Sequence, residues 1–320
     1  MRALTAFLLL SLLALPYGAS DAPFPAWHGA NLIVTRGKNY NAQFDALREL
    51  GANAVALVFL CQQHGTALDC AQAPARSELR ALVQSARERG LRVMLKPHVE
   101  TQEFSWRGEI RFQSEAEWRT WFENYARVML RYARLDADAF CVGTELAGTS
   151  HRAHEWRTVI ARVRARFHRA LVYAAHFEEF ENIAWWDALD AIGIDAYFPL
   201  EISAAPVSTV DELIAAWQPY RARLEELART TGKPILFTEV GYQSRARAFE
   251  SPWQRDPALR DDRAQSFAYQ AVFETFADAR WWRGALWWDW HADDPDAETG
   301  FTPTLKPAEG VLMAHWRNQK

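Results

Sequence analysis

Residues 208–239 read STVDELIAAWQPYRARLEELARTTGKPILFTE. Ser208 is placed to cap a helix that runs to about Thr230. Gly232 is placed to stop it, because glycine enters the left-handed conformation after a helix without steric cost. Pro234–Thr238 (PILFT) then predicts a strand, with Glu239 just past its end. The same alternation continues on both sides. Strands are predicted near Gly29–Val34 and at Ala54–Leu60, Leu91–His98, Ala139–Thr144, Ala170–Ala174, Ala191–Tyr197 and Gly284–Trp288. Helices are predicted at Ser77–Arg89 and from Ser114 onward, where Glu117 completes a capping box. Others are predicted around Trp156–Phe167 and at Asp262–Phe276 and Pro307–Arg317.

Strands alternating with helices pair in parallel through right-handed crossovers. Eight such strands predict a closed α/β barrel, the (β/α)8 or TIM barrel, in a single domain over residues 21–320. The length of 320 residues suits a fold that takes ~250 residues plus insertions. No glycine-rich phosphate-binding turn follows any strand, which argues against a nucleotide fold. A formal net charge of -4 with mixed signs gives none of the basic face expected of a nucleic-acid binder. The 15 Trp suit either sugar rings or a large core, so composition alone leaves that choice open.

The first twenty residues read as a secretory signal peptide. Arg2 gives a positive start, and Ala6–Leu15 is an apolar run too short to span a bilayer. Pro16 breaks the run, and Gly18, Ala19 and Ser20 provide the small residues of a cleavage site near Asp21. The expectation is a secreted or periplasmic monomer that has no membrane contact after cleavage. In an exported chain, Cys61 and Cys70 are expected to pair, with two free thiols as the alternative. Cys141, inside an apolar strand, reads as a small buried hydrophobe. No Cys/His spacing resembles a zinc site. The acidic run Asp293–Glu298 reads as a solvated loop.

In such barrels the active site forms at the C-terminal ends of the strands. The polar and aromatic residues found there are Lys96, His98, Glu145, His176, Asp195, Tyr197, Glu239, Tyr242, Trp287, Trp288, Asp289 and Trp290. Trp106 and Arg107, on the loop after the third strand, and Thr144 beside Glu145 join them as candidate substrate contacts. Strand residues alternate, so Trp287, Trp288 and Trp290 cannot all face inward. Glu145 in FCVGTELAG ends the fourth strand and Glu239 ends the seventh. Either alone would read as a capped or ion-paired loop residue. Together, across one barrel mouth, they are candidates for the two carboxyls that glycosidic cleavage requires: one to donate a proton, one to stay ionised.

Several stretches together resemble glycoside hydrolase family 113. They are LRVMLKPHVE (91–100), WRGEI (106–110), FCVGTEL (140–146), Trp156–Arg157, LDAIGIDAYFPL (189–200), GKPILFTEVGYQS (232–244) and Pro252–Trp253. The resemblance implies a clan A barrel with β-mannanase activity, no cofactor and no metal. It further implies Glu145 as acid/base, Glu239 as nucleophile, and a polysaccharide or oligosaccharide as substrate. Thr144 departs from the clan, where asparagine commonly precedes the acid/base. Two alternatives remain: a β-glycanase of the same mechanism acting on glucan or galactan, and a non-catalytic carbohydrate-binding barrel.

Overall fold

The computed structural model describes residues 24–101, 105–202, 209–254, 259–291 and 299–318. In chain order its elements are β1 (Trp27–Ile33), α1 (Asn41–Leu50), β2 (Ala54–His64), β3 (Ala67–Asp69), α2 (Arg76–Glu88), β4 (Arg92–Thr101), α3 (Glu115–Tyr132), β5 (Ala139–Thr144), α4 (Ala147–Ser150) and α5 (Ala153–Arg164). There follow β6 (Ala170–His176), β7 (Ala191–Asp195), α6 (Val210–Thr231), β8 (Ile235–Val240), α7 (Asp262–Phe276), β9 (Trp282–Trp287) and α8 (Pro307–Asn318). The eight predicted strands are all present. They pair in parallel, and β1 bonds both β2 and β9, which closes the barrel. The ninth strand, β3, is a short antiparallel extension that pairs with the end of β2 above the barrel rim. The fourth and seventh barrel strands are therefore β5 and β8.

The strand alternation sorts side chains into two cores. Ala54 and Ala56 of β2, Met94 of β4, Ala139 and Cys141 of β5, Val172 and Ala174 of β6, Leu236 of β8 and Leu286 of β9 cluster with Trp27. These fill the barrel lumen, where small residues suit the narrow space. The residues between them, such as Val55, Leu57, Val93, Leu95, Ile192, Ile194 and Phe237, join the larger core beneath the helices. Most of the tryptophans belong to that outer core: Trp121, Trp156, Trp185, Trp217 and Trp287 are fully buried within it.

Helix starts follow the capping chemistry. Ser114 accepts from the Glu117 amide, and Glu117 returns the bond, so α3 begins as predicted. The α6 cap is Thr209, with Glu212 completing its box. The expected cap Ser208 lies outside the described residues, as do the expected signal segment and the acidic run. Gly232 ends α6 at φ 67°. Between β6 and β7 only two short 3-10 turns replace a full helix.

Cys61 at the end of β2 and Cys70 after β3 form a disulfide with a sequence separation of 9. It ties the β2–β3 extension to the loop that leads into α2. Closing a loop of this size restricts the unfolded chain by about 2–3 kcal/mol in the chain-entropy account. Thiol titration of the denatured, unreduced protein should therefore find one free thiol, Cys141, and three would contradict the pairing.

Candidate active site

Both strands that end in the candidate glutamates lose regular register just before them. Cys141 pairs with Val172, but Thr144 pairs with Ala174, so β5 carries an extra residue. Ile194 pairs with Phe237, but Asp195 pairs with Glu239, so β8 does the same. Such bulges re-aim side chains that strict alternation would send elsewhere. On β8 the consequence is direct. Thr238 reaches Asp195 inside the barrel, and its neighbour Glu239 also turns inward.

Glu239 is 5% exposed and lies in a dense set of donors. Lys96 Nζ, fully buried on β4, donates to Glu239 Oε1. The same ammonium lies 3.3 Å from Asp195 Oδ1. Tyr197 Oη donates to Glu239 Oε2 at 2.8 Å. His98 Nε2 sits 3.4 Å from Oε1, too far for a well-formed bond. Burial would raise the Glu239 pKa, but the Lys96 charge and bond, with His98 nearby, outweigh burial and hold it below the usual range. Asp195 goes the other way. Burial and the charge of Glu239 push it well above a normal aspartate, and Lys96 only partly compensates. Its Oδ2 has no hydrogen-bond partner. Two carboxyls and one ammonium thus settle unequally, with the ionised form on Glu239, where the donors converge. Lys96 keeps its proton: burial opposes the charge, but Asp195 and Glu239 raise its pKa on balance.

Glu145 has a different environment. Burial, aided by the charge of Glu239, raises its pKa against the pull of Arg107. Arg107 Nη1 donates to Glu145 Oε2 at 2.9 Å. The guanidinium is itself fixed by Val99 O at 2.9 Å and by Glu100. The backbone of Glu145 is left-handed, with φ 50°. Such a conformation costs a non-glycine residue on the order of 1–3 kcal/mol and persists only where neighbours enforce it. Gly143, two residues earlier, allows the close approach this turn needs. A Cβ there would lie 2.8 Å from the Tyr173 ring and 2.9 Å from Trp156.

The other candidates divide between rim and interior. Trp106 is 40% exposed, and its ring centroid lies 4.6 Å from that of His176. Trp288 follows Leu286 on the inward phase and lies parallel to His98, with centroids 6.0 Å apart. Thr144 is buried, with Oγ1 3.7 Å from Cys141 Sγ. Lys96 and Asp195 are fully buried against Glu239. They contact that carboxyl, not the open cleft where a sugar would lie. Three expected sugar contacts are displaced from the cleft altogether. Trp287 is on the outward phase and stacks on Tyr269 of α7 at 3.9 Å. Tyr242 is fully buried and packs toward Tyr269. Trp290 is 1% exposed and belongs to the core beneath the helices.

Sequence reasoning missed three residues here. Asn31, inward on β1, donates to Thr238 O at 3.0 Å and Leu286 O at 2.9 Å, tying β1 to β8 and β9. Its signal was an amide in the apolar run GANLIV (29–34). Glu100 holds Arg107, and Glu179, just past the end of β6, is buried.

A buried and a partly buried carboxyl of unlike environment, near aromatic rings at the mouth of a closed barrel, fit the class of barrel glycoside hydrolases. The family is specific. The sequence profile of Glycoside Hydrolase Family 113 matches residues 34–303, and the chain belongs to that family. It is a glycoside hydrolase, and its substrate is a carbohydrate. Among solved structures it is similar to a GH113 β-mannanase from Alicyclobacillus acidocaldarius, in complex with ManMIm. The identity is 27%, with 92% of this chain and 98% of that chain covered and a TM-score of 0.83. A GH113 β-1,4-mannanase complex is similar at 25% identity, covering 92% and 100% of the chains with TM-score 0.82. A β-glucuronidase from Ruminococcus gnavus, 14% identical, matches 91% of this chain and 50% of that one with TM-score 0.65, a likeness of fold alone. No curated protein matches the chain by sequence.

Lys96→Met tests the electrostatics. Without the cation, Asp195 and Glu239 become adjacent buried carboxyls, and breaking a buried pair costs about 3–5 kcal/mol. Denaturant unfolding should report that loss. Because Lys96 holds the Glu239 pKa down, its removal raises that pKa, and the acidic limb of kcat/KM should move to higher pH. A limb that stays in place in a folded variant would show that Lys96 does not set the charge state of Glu239.

Proposed function

We propose that the protein is a retaining β-mannanase that cleaves β-1,4-linked mannan or manno-oligosaccharides, with Glu239 as nucleophile and Glu145 as acid/base. The observation that carries this reading is the opposite displacement of the two pKa values. The Lys96 charge holds the Glu239 pKa below the usual carboxylate range, while burial raises that of Glu145. That is the division of labour double displacement requires.

In the first step a Glu239 carboxylate oxygen forms a bond to the anomeric carbon as the glycosidic C–O bond breaks. The Glu145 proton goes to the leaving oxygen. The glycosyl ester neutralises Glu239, which removes one of the influences that raises the Glu145 pKa. Glu145 then becomes the better base and takes a proton from water, which attacks the anomeric carbon and frees Glu239. One residue thereby serves as acid and then base, and the anomer is retained. Arg107 orients the Glu145 carboxyl throughout. Trp288 and Trp106 are the rings best placed to stack on sugar faces. The preference for mannan rests on the family and on the mannanases named above.

Reducing-end release from mannan, cellulose, xylan and galactan tests the substrate. Mannan should be cleaved fastest, and a clear preference for another polymer would refute the mannanase reading while leaving the mechanism open. Glu145→Ala and Glu239→Ala should each lower activity on the polymer by at least about 10²-fold. If both variants keep near-wild-type rates, the site assignment is wrong.

A further inference from the structure

Glu179 is 5% exposed and has no part in the mechanism above. It lies in the sequence HFEEFEN (176–182), just past the end of β6. Its Oε1 accepts from Tyr173 Oη at 2.8 Å, and its Oε2 accepts from the His176 amide at 3.1 Å. Burial raises its pKa to about 7, against the pull of these bonds and of Ser150, and the charge of Glu145 adds to the rise. Tyr173 Oη also accepts from the Leu146 amide at 2.9 Å. A phenol has one proton. Glu179 takes that proton as its hydrogen bond, which turns a phenol lone pair toward Leu146.

Leu146 directly follows Glu145. The amide of Glu145 donates to Ala174 O at 2.8 Å. The peptide groups on either side of the Glu145 Cα are therefore anchored to consecutive residues of β6, Ala174 and Tyr173. Fixing both peptide planes fixes φ and ψ, and this is the residue held at φ 50°. The ring that supplies one anchor has little freedom, since Trp156 and Trp185 pack its faces and edges with centroids 5.3 and 4.9 Å away.

We propose that Tyr173 and Glu179 form a positioning pair that locks the left-handed turn at Glu145 and so aims its carboxyl at the leaving oxygen. Both act through the backbone of Glu145 and Leu146. The inference rests on Glu145 being the acid/base. A misaimed acid impairs cleavage of poor leaving groups and spares good ones, because an activated aryl group needs little protonation.

The experiment compares Glu145→Ala, Tyr173→Phe, Glu179→Ala and Glu179→Gln on mannan and on 2,4-dinitrophenyl β-mannobioside. The pre-steady-state burst on the aryl substrate reports the first step alone. Tyr173→Phe and Glu179→Ala should each lower kcat on mannan roughly tenfold or more, within the 10²–10⁴ that acid catalysis contributes. KM should be little changed, and the aryl burst rate should fall by less than about threefold. Glu179→Gln still accepts the phenol's bond, and should recover most of what Glu179→Ala loses. If Tyr173→Phe does not fold, the Glu179 pair carries the comparison alone. Equal losses on both substrates would mean a merely structural role and overturn the proposal. So would no loss on either, or no difference between Gln and Ala at position 179. Glu145→Ala separates this from failure of the underlying reading. If that variant shows no split between the substrates, the acid/base assignment itself is wrong. If it shows the split and the others do not, only the positioning pair is refuted.

Discussion

A single buried ammonium organises the floor of the site. Lys96 is fully enclosed, and a lone cation there would be strongly disfavoured by desolvation. It is tolerated because Glu239 and Asp195 surround it. The constraint works in both directions. The barrel must bring β4, β7 and β8 into contact at one level for the charge to be satisfied, and Glu239 owes its low pKa to that contact. Asn31 adds a neutral tie at the same level, linking β1 to the carbonyls of β8 and β9. The polar layer is thus a closure device for the barrel as well as part of the chemistry.

The two glutamates reach the site by similar local departures from regular structure. Each follows an extra residue in its strand. On β8 the bulge lets Thr238 and Glu239 both point inward, so the hydroxyl engages Asp195 and the carboxylate engages Lys96. On β5 the distortion runs on into a left-handed Glu145. The surroundings then give the two identical side chains different acidities. Glu239 has a cation and a phenol at its oxygens, while Glu145 has one arginine and less compensation for its burial.

Much of this was legible in the sequence because the barrel repeats one pattern. Apolar strand runs, capping boxes such as Ser114–Glu117 and the stop at Gly232 are local signals, and the structure reproduces them. Helix α1 was not foreseen: no side chain caps its start, and only Gln43, Phe44 and Leu47 of it are buried. Strand β3 was also missed, since three residues carry no period. Phase decided the tryptophans. Trp287 and Trp288 are adjacent and chemically alike, yet one stacks on Tyr269 outside the barrel and the other lies over His98 at its mouth. Lys96 and Asp195 were found by position, but the sequence left them between sugar contact and buried bracing, because burial beneath Glu239 depends on three strands at once. Glu179 is one of three acids in HFEEFEN with no pattern to single it out, and only the fold buries it.

The central claim is that Glu239 becomes covalently attached to the sugar. A 2-deoxy-2-fluoro-β-mannosyl fluoride slows both steps but keeps a good leaving group, so the glycosyl-enzyme should accumulate. Mass spectrometry of the tryptic digest should then find the fluorosugar on the peptide spanning residues 230–245, with fragmentation placing it on Glu239. A label on Glu145 or any other residue, or an active enzyme that never acquires one, would contradict the account.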